Sequence, residues 1–194
     1  MTSPVAQREL EALRLLAAEG GAQSARAVGM LMGLESRVDR VEALAAPDRL
    51  ALAALAGALG PSLVAVAMDL AAPLRGRLVL LVGAPDAERI ASALAPSAAA
   101  GSLDAVGESA VVEAANIAGS AFVSALAKHL HGRLVHGVPR LTRGSAAECL
   151  DDLAPTLSGP AFAPRFRCGG LEAMLLFLPD GERVPLILAA MEAR

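Results

Sequence analysis

Four polar residues follow one another at spacings of four, three and four positions: Ser109, Glu113, Asn116 and Ser120. In an α-helix these spacings place all four side chains on one face, adjacent along successive turns. Asn116 is the only asparagine of the protein, and asparagine is a mediocre helix former because its side chain competes for the backbone. A carboxylate beside a carboxamide could bind or orient a polar group, although an ordinary solvated helix face shows the same spacing.

The element that must position these residues is a long helix predicted over residues 102–130. Ser102 is the candidate N-cap, after a loose linker over residues 96–101. The predicted apolar stripe consists of Leu103, Val106, Ala110, Ala114, Ile117, Ala121 and Ala125. Residues 4–33 have apolar residues at the same helical spacing, so a second long helix is predicted to open the chain.

The chain contains two similar halves. An apolar run, a Pro-Asp pair and a Glu-Arg pair occur at residues 77–90 and again at residues 173–184. In each half a long helix precedes a segment containing proline, a shorter helix and two strands. The predicted shorter helices are residues 47–59 and 145–153, and the predicted strands are residues 62–69, 77–82, 160–168 and 171–178.

This order of elements predicts an α/β fold in which long helices pack on one antiparallel sheet shared by both halves. One domain over residues 1–194 is expected, with a first repeat at about 4–97 and a second at about 101–194. The aspartate of each Pro-Asp pair is expected to cap the following helix. Chance similarity between alanine-rich helices is the alternative explanation of the repeat.

Composition excludes several classes of function. The 194 residues are 55% hydrophobic and 2% aromatic, and the net charge of −3 gives no electrostatic footprint for nucleic acid. Cys149 and Cys168 lie in no CxxC motif and fit buried thiols in a reducing cytoplasm. The charged N-terminal stretch predicts an amphipathic helix rather than a signal peptide. Residues 50–68 carry no charge, but Gly60 and Pro61 predict a buried helix, a turn and a buried strand rather than a membrane span.

A longer pattern gives the four polar residues a more specific meaning. Ser109, Glu113 and Asn116, followed by 22 residues and then Pro139, match every fixed position of the signature of the CheC/CheX/FliY phosphatases. The chain therefore resembles this family, whose two-repeat layout is similar over nearly its whole length. The resemblance implies a chemotaxis phosphatase that acts on the aspartyl phosphate of a CheY-type response regulator in the cytoplasm.

The resemblance also implies roles for individual residues. Asn116 would hold a water in line with the phosphorus, and Glu113 would pair with a lysine of the regulator. Ser109 and Ser120 would contact the substrate, Ser109 from the rim, and Pro139 would shape the chain after the helix. The protein would need no cofactor of its own, and the Mg²⁺ would belong to the regulator. CheD is a further expected partner, whereas nucleic acid and membrane are not.

The first half departs from the signature. Aligning Glu19 with Asn116 places Leu16 at the glutamate position and Ala12 at the serine position, and the proline position falls at Glu42, with Pro47 beyond it. A single active site in the second half is therefore expected. A non-catalytic protein is the alternative, because the similar fold of the flagellar switch component FliM lacks the signature.

Other candidate residues have simpler interpretations. His129, His131 and His136 lack a converging fourth zinc ligand and are expected at a solvent-facing helix end. Asp151 and Asp152 are interpreted as exposed charge, and Gly169-Gly170 as a hairpin turn. Ser120 and Ser124 are expected to lack a nearby base with triad character.

Overall fold

The apolar runs of the sequence form the strands of one antiparallel sheet, and the two long helices pack on one face of it. The computed structural model describes residues 7–96, 103–130, 133–151 and 157–192. In chain order the elements are α1 (Gln7–Met32), β1 (Ser36–Leu44), α2 (Arg49–Gly57), β2 (Leu63–Leu70), β3 (Gly76–Gly83), α3 (Ala84–Leu94), α4 (Ala105–Leu130), β4 (Arg140–Gly144), α5 (Ala146–Cys149), β5 (Ala161–Cys168), β6 (Leu171–Pro179) and α6 (Val184–Glu192).

The strand order is β1-β5-β6-β3-β2-β4, and every neighbouring pair is antiparallel. The four predicted strands are confirmed as β2, β3, β5 and β6, and the most apolar of them, β3 and β6, lie at the centre. The two edge strands, β1 and β4, are not predicted from the sequence. An edge strand tolerates charged residues, as in Ser-Arg-Val-Asp-Arg and Arg-Leu-Thr-Arg, and so lacks the apolar run that identifies a central strand.

Each half contributes the same series of elements, helix, strand, helix, strand, strand and helix, placed symmetrically about the β3–β6 pair. The predicted α/β fold class, with long helices on an antiparallel sheet, is confirmed. The predicted repeat limits at 97 and 101 and the predicted N-cap Ser102 lie outside the described residues. Helix α4 begins at Ala105, and Asp104 caps it by accepting a hydrogen bond from the backbone N–H of Gly107 (2.8 Å).

Helices α1 and α4 contact each other closely because small residues lie where they cross. A Cβ on Gly20 would lie 2.6 Å from the ring of Phe122, and the buried Ser24 donates to the backbone oxygen of Ala118 (2.8 Å). Phe122 also packs on Phe177 of β6, with ring centroids 5.2 Å apart. The main core therefore lies between the two helices and the sheet.

The buried face of α4 differs from the predicted stripe, of which only Ala114 and Ala125 are fully buried and Val106 is 48% exposed. The buried residues follow a line displaced around the helix: Gly107, Val111, Ala114, Ala115, Ala118, Gly119, Phe122, Val123, Ala125 and Leu126. Alanine occurs on several sides of this helix and is compatible with burial or exposure, so the pattern alone could not identify the buried side.

Helices α2 and α5 pack on the opposite face of the sheet, over a second apolar cluster that includes Leu52, Met174 and Cys149. Cys149 and Cys168 are both free and buried, as predicted. Burial raises the pKa of the Cys168 thiol to about 11, and burial also raises the pKa of Cys149. Both groups are therefore protonated thiols at neutral pH.

The Pro-Asp pairs that suggested the repeat differ in what their aspartates do. Asp180 accepts from the backbone N–H of Glu182 (3.1 Å) and caps a 3-10 turn, Gly181–Arg183, as predicted. The prediction is wrong for Asp86, which lies inside the first turn of α3 and accepts from the backbone N–H of Glu172 in β6 (3.0 Å). Asp86 therefore ties α3 to the sheet.

The uncharged stretch over residues 50–68 forms α2, a turn at Gly60 and β2, as predicted. Among the described residues, one helix, α4, is long and apolar enough to cross a membrane, by length and composition only. Half of its most apolar window is buried inside the protein. Such burial is typical of a helix in a protein core, so the length and composition of α4 do not by themselves indicate a membrane span.

Candidate functional site

The polar face predicted from the residue spacing lies on α4 and is accessible to solvent. Ser109, Glu113 and Ser120 are exposed, and Asn116 is half-buried. The helix thus brings the four residues together, as the spacing predicts. Glu113 lies near the middle of the exposed face, and Asn116 lies towards the flank that faces β2 and β4.

Glu113 and Asn116 have no hydrogen bond or ion pair from their side chains within residues 7–96, 103–130, 133–151 and 157–192. The carboxylate offers acceptors only, and the carboxamide offers both donors and acceptors. This pair is therefore open to a partner molecule or to water.

The underside of α4 is held tightly against β2. A Cβ on Gly119 would lie 2.6 Å from Sδ of Met68, a separation at which one of the two groups must move. Gly119 is the residue between the buried Ala118 and the exposed Ser120. A close helix–strand contact therefore lies directly beneath the polar face, and the face is carried on a rigid element.

Pro139 lies directly before the edge strand β4 and is partly buried. Arg140 pairs with Ala67 in β2, so continuing this register by one residue places Pro139 beside Met68. Proline has no N–H to donate, which an edge position tolerates. Pro139 thus lies on the flank of α4, about where Gly119 approaches the sheet.

Ser120 has a nearby base, although not one of triad character, because the other ring nitrogen of that base contacts a backbone oxygen and not a carboxylate. Its Oγ lies 3.0 Å from Nε2 of His136, and Nδ1 of His136 lies 2.9 Å from the backbone oxygen of Gly137. His136 is half-buried beside β2 and not at a solvent-facing helix end. No spacing rule relates residues 120 and 136, so only the folded chain could reveal this pair.

His129 is also placed differently from the expectation. Its side chain is 16% exposed, and Nε2 lies 2.7 Å from Oε2 of Glu19, so it joins α4 to α1. His131 lies outside the described residues. Within the described part of the chain, no group of three or more His, Cys, Asp or Glu side chains could hold a metal ion.

The remaining candidates agree with their simpler interpretations. Asp151 is exposed and forms an ion pair with Arg49, whereas Asp152 lies outside the described residues. Gly169 and Gly170 have positive φ angles of 52° and 86° and join β5 to β6 as a hairpin. Ser124 is exposed on α4.

The buried positions of α1 correct the alignment of the two halves by one residue. Gly21 of α1 packs on Pro164 in β5 as Gly119 of α4 packs on Met68 in β2. With this correspondence, Ala18 rather than Glu19 lies at the place of Asn116. Leu15 takes the place of Glu113, Glu11 that of Ser109, and Ala22 that of Ser120. The first half therefore lacks the Glu and Asn pair under either alignment.

A cluster of charged side chains lies on the face of the β2–β4 pair that is turned away from α4. Oδ1 of Asp69 accepts from Arg77 (2.8 Å) and Oδ2 from Arg140 (3.0 Å). Burial by itself would raise the pKa of Asp69, but the hydrogen bonds from Arg140 and Arg77 outweigh it, so the pKa is lowered. This cluster helps to attach the edge strand β4 to the sheet.

Several solved structures have the same fold. FliY of Thermotoga maritima is similar with a TM-score of 0.68 and 14% identity, covering 97% of this chain and 98% of that one. The middle domain of FliM from H. pylori has a TM-score of 0.64 and 11% identity, over 96% and 100% of the two chains. The chemotaxis protein CheX of Desulfovibrio desulfuricans has a TM-score of 0.59 and 12% identity, over 85% and 99%.

No protein-family model matches the chain, and no curated protein sequence matches it. The similarity to the solved structures defines the class of fold, one shared by FliY, the chemotaxis protein CheX and the middle domain of FliM. The expected resemblance to the CheC/CheX/FliY family is thus confirmed for the fold. Proteins with one fold can have different activities. The activity of this chain therefore depends on its own side chains.

Proposed function

We propose that this protein hydrolyses the aspartyl phosphate of a CheY-type response regulator in the cytoplasm. The observation that carries the proposal is the accessible Glu113 and Asn116 pair, free of intramolecular partners in the described residues, on a helix whose opposite side is packed on the sheet. The fold shared with FliY and CheX supports the same assignment.

The reaction needs little from the protein beyond correct placement. An acyl phosphate is broken when a water oxygen attacks phosphorus and the bond from phosphorus to the aspartyl oxygen breaks. The electron pair stays on the regulator's carboxylate, and the water proton leaves to phosphate or solvent. The Asn116 carboxamide would enter the regulator's site and hold the water in line, which is catalysis by positioning.

The other polar residues would bind the regulator. Glu113 presents a negative charge at the middle of the exposed face and would pair with a lysine of the regulator. Ser109 and Ser120 would contact the partner one turn to either side. The Mg²⁺ that neutralises the phosphoryl group would be bound by the regulator.

The decisive experiment measures phosphoryl loss from a CheY-type regulator phosphorylated with acetyl phosphate and Mg²⁺. Wild type should accelerate the loss, and Asn116→Ala should reduce that acceleration by about 100-fold, the scale of losing a group that orients the reacting water. Ser124→Ala is the matched control, since Ser124 is exposed on the same helix and is not part of the signature. Equal rates for Asn116→Ala and wild type would refute the catalytic role.

A second candidate is a non-catalytic protein that binds the regulator. The similarity to the FliM middle domain, over nearly the whole of both chains, favours it. In that case the chain would bind the phosphorylated regulator without changing its rate of phosphoryl loss. A related possibility is an action through CheD, which co-purification of the two proteins would test.

A further inference from the structure

The hydrogen bonds of His136 determine where its ring proton lies. The Gly137 oxygen can only accept, so the 2.9 Å contact to Nδ1 requires a proton on Nδ1. In the neutral ring Nε2 then carries a lone pair and no proton. Because the contact between Nε2 and Ser120 Oγ is 3.0 Å, Ser120 must be the donor in that bond.

The segment that carries His136 is held on both sides. The backbone N–H of Gly137 donates to the oxygen of Asp69 (2.7 Å), and the N–H of Ala71 donates to the oxygen of Val135 (3.2 Å). His136 itself forms an isolated bridge with Leu70. A Cβ on Gly119 would lie 3.5 Å from Cδ2 of the ring, so α4 packs on the ring as well. The imidazole therefore has a fixed position beside Ser120.

A serine inside a helix commonly donates its proton to the backbone oxygen four residues earlier, which for Ser120 belongs to Asn116. Ser120 instead directs its proton to His136. The remaining lone pairs of Oγ are exposed on the same face as the Asn116 side chain, one turn away. Side chains four residues apart on a helix have their Cβ atoms about 6 Å apart, which leaves room for one water between the two polar groups.

We infer that His136 is a positioning residue that makes Ser120 a second hydrogen-bond acceptor for the attacking water. This inference rests on the proposed function and adds a residue to its site. A water that attacks phosphorus must keep a lone pair directed at phosphorus, so both of its O–H bonds must point to acceptors. Asn116 Oδ1 provides one acceptor and Ser120 Oγ the other. Without His136, the Ser120 hydroxyl could rotate and donate to the water, which would leave the second O–H bond of the water without this acceptor and change how the water is oriented.

Two substitutions of His136 separate this role from simple packing. Glutamine can place an amide oxygen near the position of Nε2, whereas asparagine reaches only the position of Nδ1. His136→Asn should therefore keep the bond to Gly137 but lose the acceptor for Ser120. We expect it to lower kcat by about five- to tenfold, the effect of one hydrogen bond, with KM within about twofold. His136→Gln should recover most of the kcat that His136→Asn loses.

Ser120→Ala provides the second half of the test. If the two residues act as one unit, Ser120→Ala should lower kcat as much as His136→Asn does, and the double variant should be no slower than either. Nitrogen NMR of the imidazole in the full-length protein gives a readout independent of activity. It should show the proton on Nδ1, and Ser120→Ala should perturb the Nε2 signal.

The results that would refute this inference differ from those that would refute the proposed function. If wild type does not accelerate phosphoryl loss, the proposed function fails and the role of His136 fails with it. If wild type is active and Asn116→Ala is not, equal kcat values for His136→Asn and His136→Gln overturn only the inference. Additive effects of the Ser120 and His136 substitutions, a proton on Nε2, or covalent labelling of Ser120 by a fluorophosphonate would also overturn it. Labelling would mean that Ser120 acts as a nucleophile.

Discussion

The two long helices of this protein bury equivalent residues and expose different ones. The buried residues Leu13, Leu16, Ala17, Gly20, Gly21, Ser24, Ala25 and Val28 of α1 correspond in order to Val111, Ala114, Ala115, Ala118, Gly119, Phe122, Val123 and Leu126 of α4. On the exposed side, α4 has Glu113 and Asn116 where α1 has Leu15 and Ala18. Packing constrains only the buried face, so the exposed face of one helix can lose a polar pair while the fold is kept.

The crossing of the helices shows the same equivalence. Gly20 of α1 contacts Phe122 of α4, and Ser24 of α1 bonds to Ala118 of α4. Under the correspondence of Gly21 with Gly119, each of these contacts is the symmetry counterpart of the other. Glu19 of α1 contacts His129 of α4. The first half therefore contributes mainly packing and interhelical contacts to the site on α4.

The largest expected effect comes from transferring the polar pair between the helices. In the Asn116→Ala protein, whose activity should be about 100-fold below wild type, we add Leu15→Glu and Ala18→Asn. These should restore no more than about a fifth of the wild-type rate, because α1 has Ala22 where α4 has Ser120. The measurement is phosphoryl loss from the regulator. Full recovery would show that the pair alone suffices and that the surroundings of α4 are dispensable.

A smaller effect is expected from the two equivalent glycines. Gly21→Ala should lower the free energy of unfolding by about 2 kcal/mol, because the new Cβ would meet the rigid ring of Pro164. Gly119→Ala should change it by less than about 1 kcal/mol, since the end of the Met68 side chain can move and alanine favours the helix. Urea denaturation of both variants checks this difference. Equal losses would mean that the two helix–strand contacts are equally rigid.

The smallest effect is expected at the two edges of the sheet, where Asp69 of β2 contacts Arg140 of β4 and Asp39 of β1 contacts Arg167 of β5. The pKa of Asp69 is lowered in the folded protein, so its contribution is present above the unfolded carboxyl pKa. That contribution is lost as the pH falls through the folded value. Because Asp69 is half exposed, Asp69→Asn should cost only about 0.5 kcal/mol at pH 7.

The difference between Asp69→Asn and wild type should shrink from pH 7 to acid pH, where the wild-type carboxyl becomes protonated. Urea denaturation at both pH values measures it. Asp39→Asn is the matched control at the opposite edge of the sheet, in β1. A cost for Asp69→Asn that stays constant over this range would show that the charge of Asp69 does not stabilise the attachment of β4.

The central strands and the long helices could be predicted because their patterns are local. The runs Leu-Val-Leu-Leu-Val and Met-Leu-Leu-Phe-Leu are apolar on both faces, which only a central strand in a covered sheet requires. The edge strands could not be predicted in this way, because solvent contact relaxes the demand for apolar residues. The buried side of α4 was equally ambiguous, since alanine imposes little preference on which face is covered.

The candidate site also has one part that the local sequence predicts and another that only the tertiary structure reveals. The placement of Ser109, Glu113, Asn116 and Ser120 on one helix face follows from the sequence by itself, because the helical period is set by backbone geometry within a few residues. Only the tertiary structure joined His136 to Ser120 and Glu19 to His129. These contacts depend on where a bridge to β2 and the crossing of two helices place the chain. Such positions result from the packing of the whole domain, which no local pattern records.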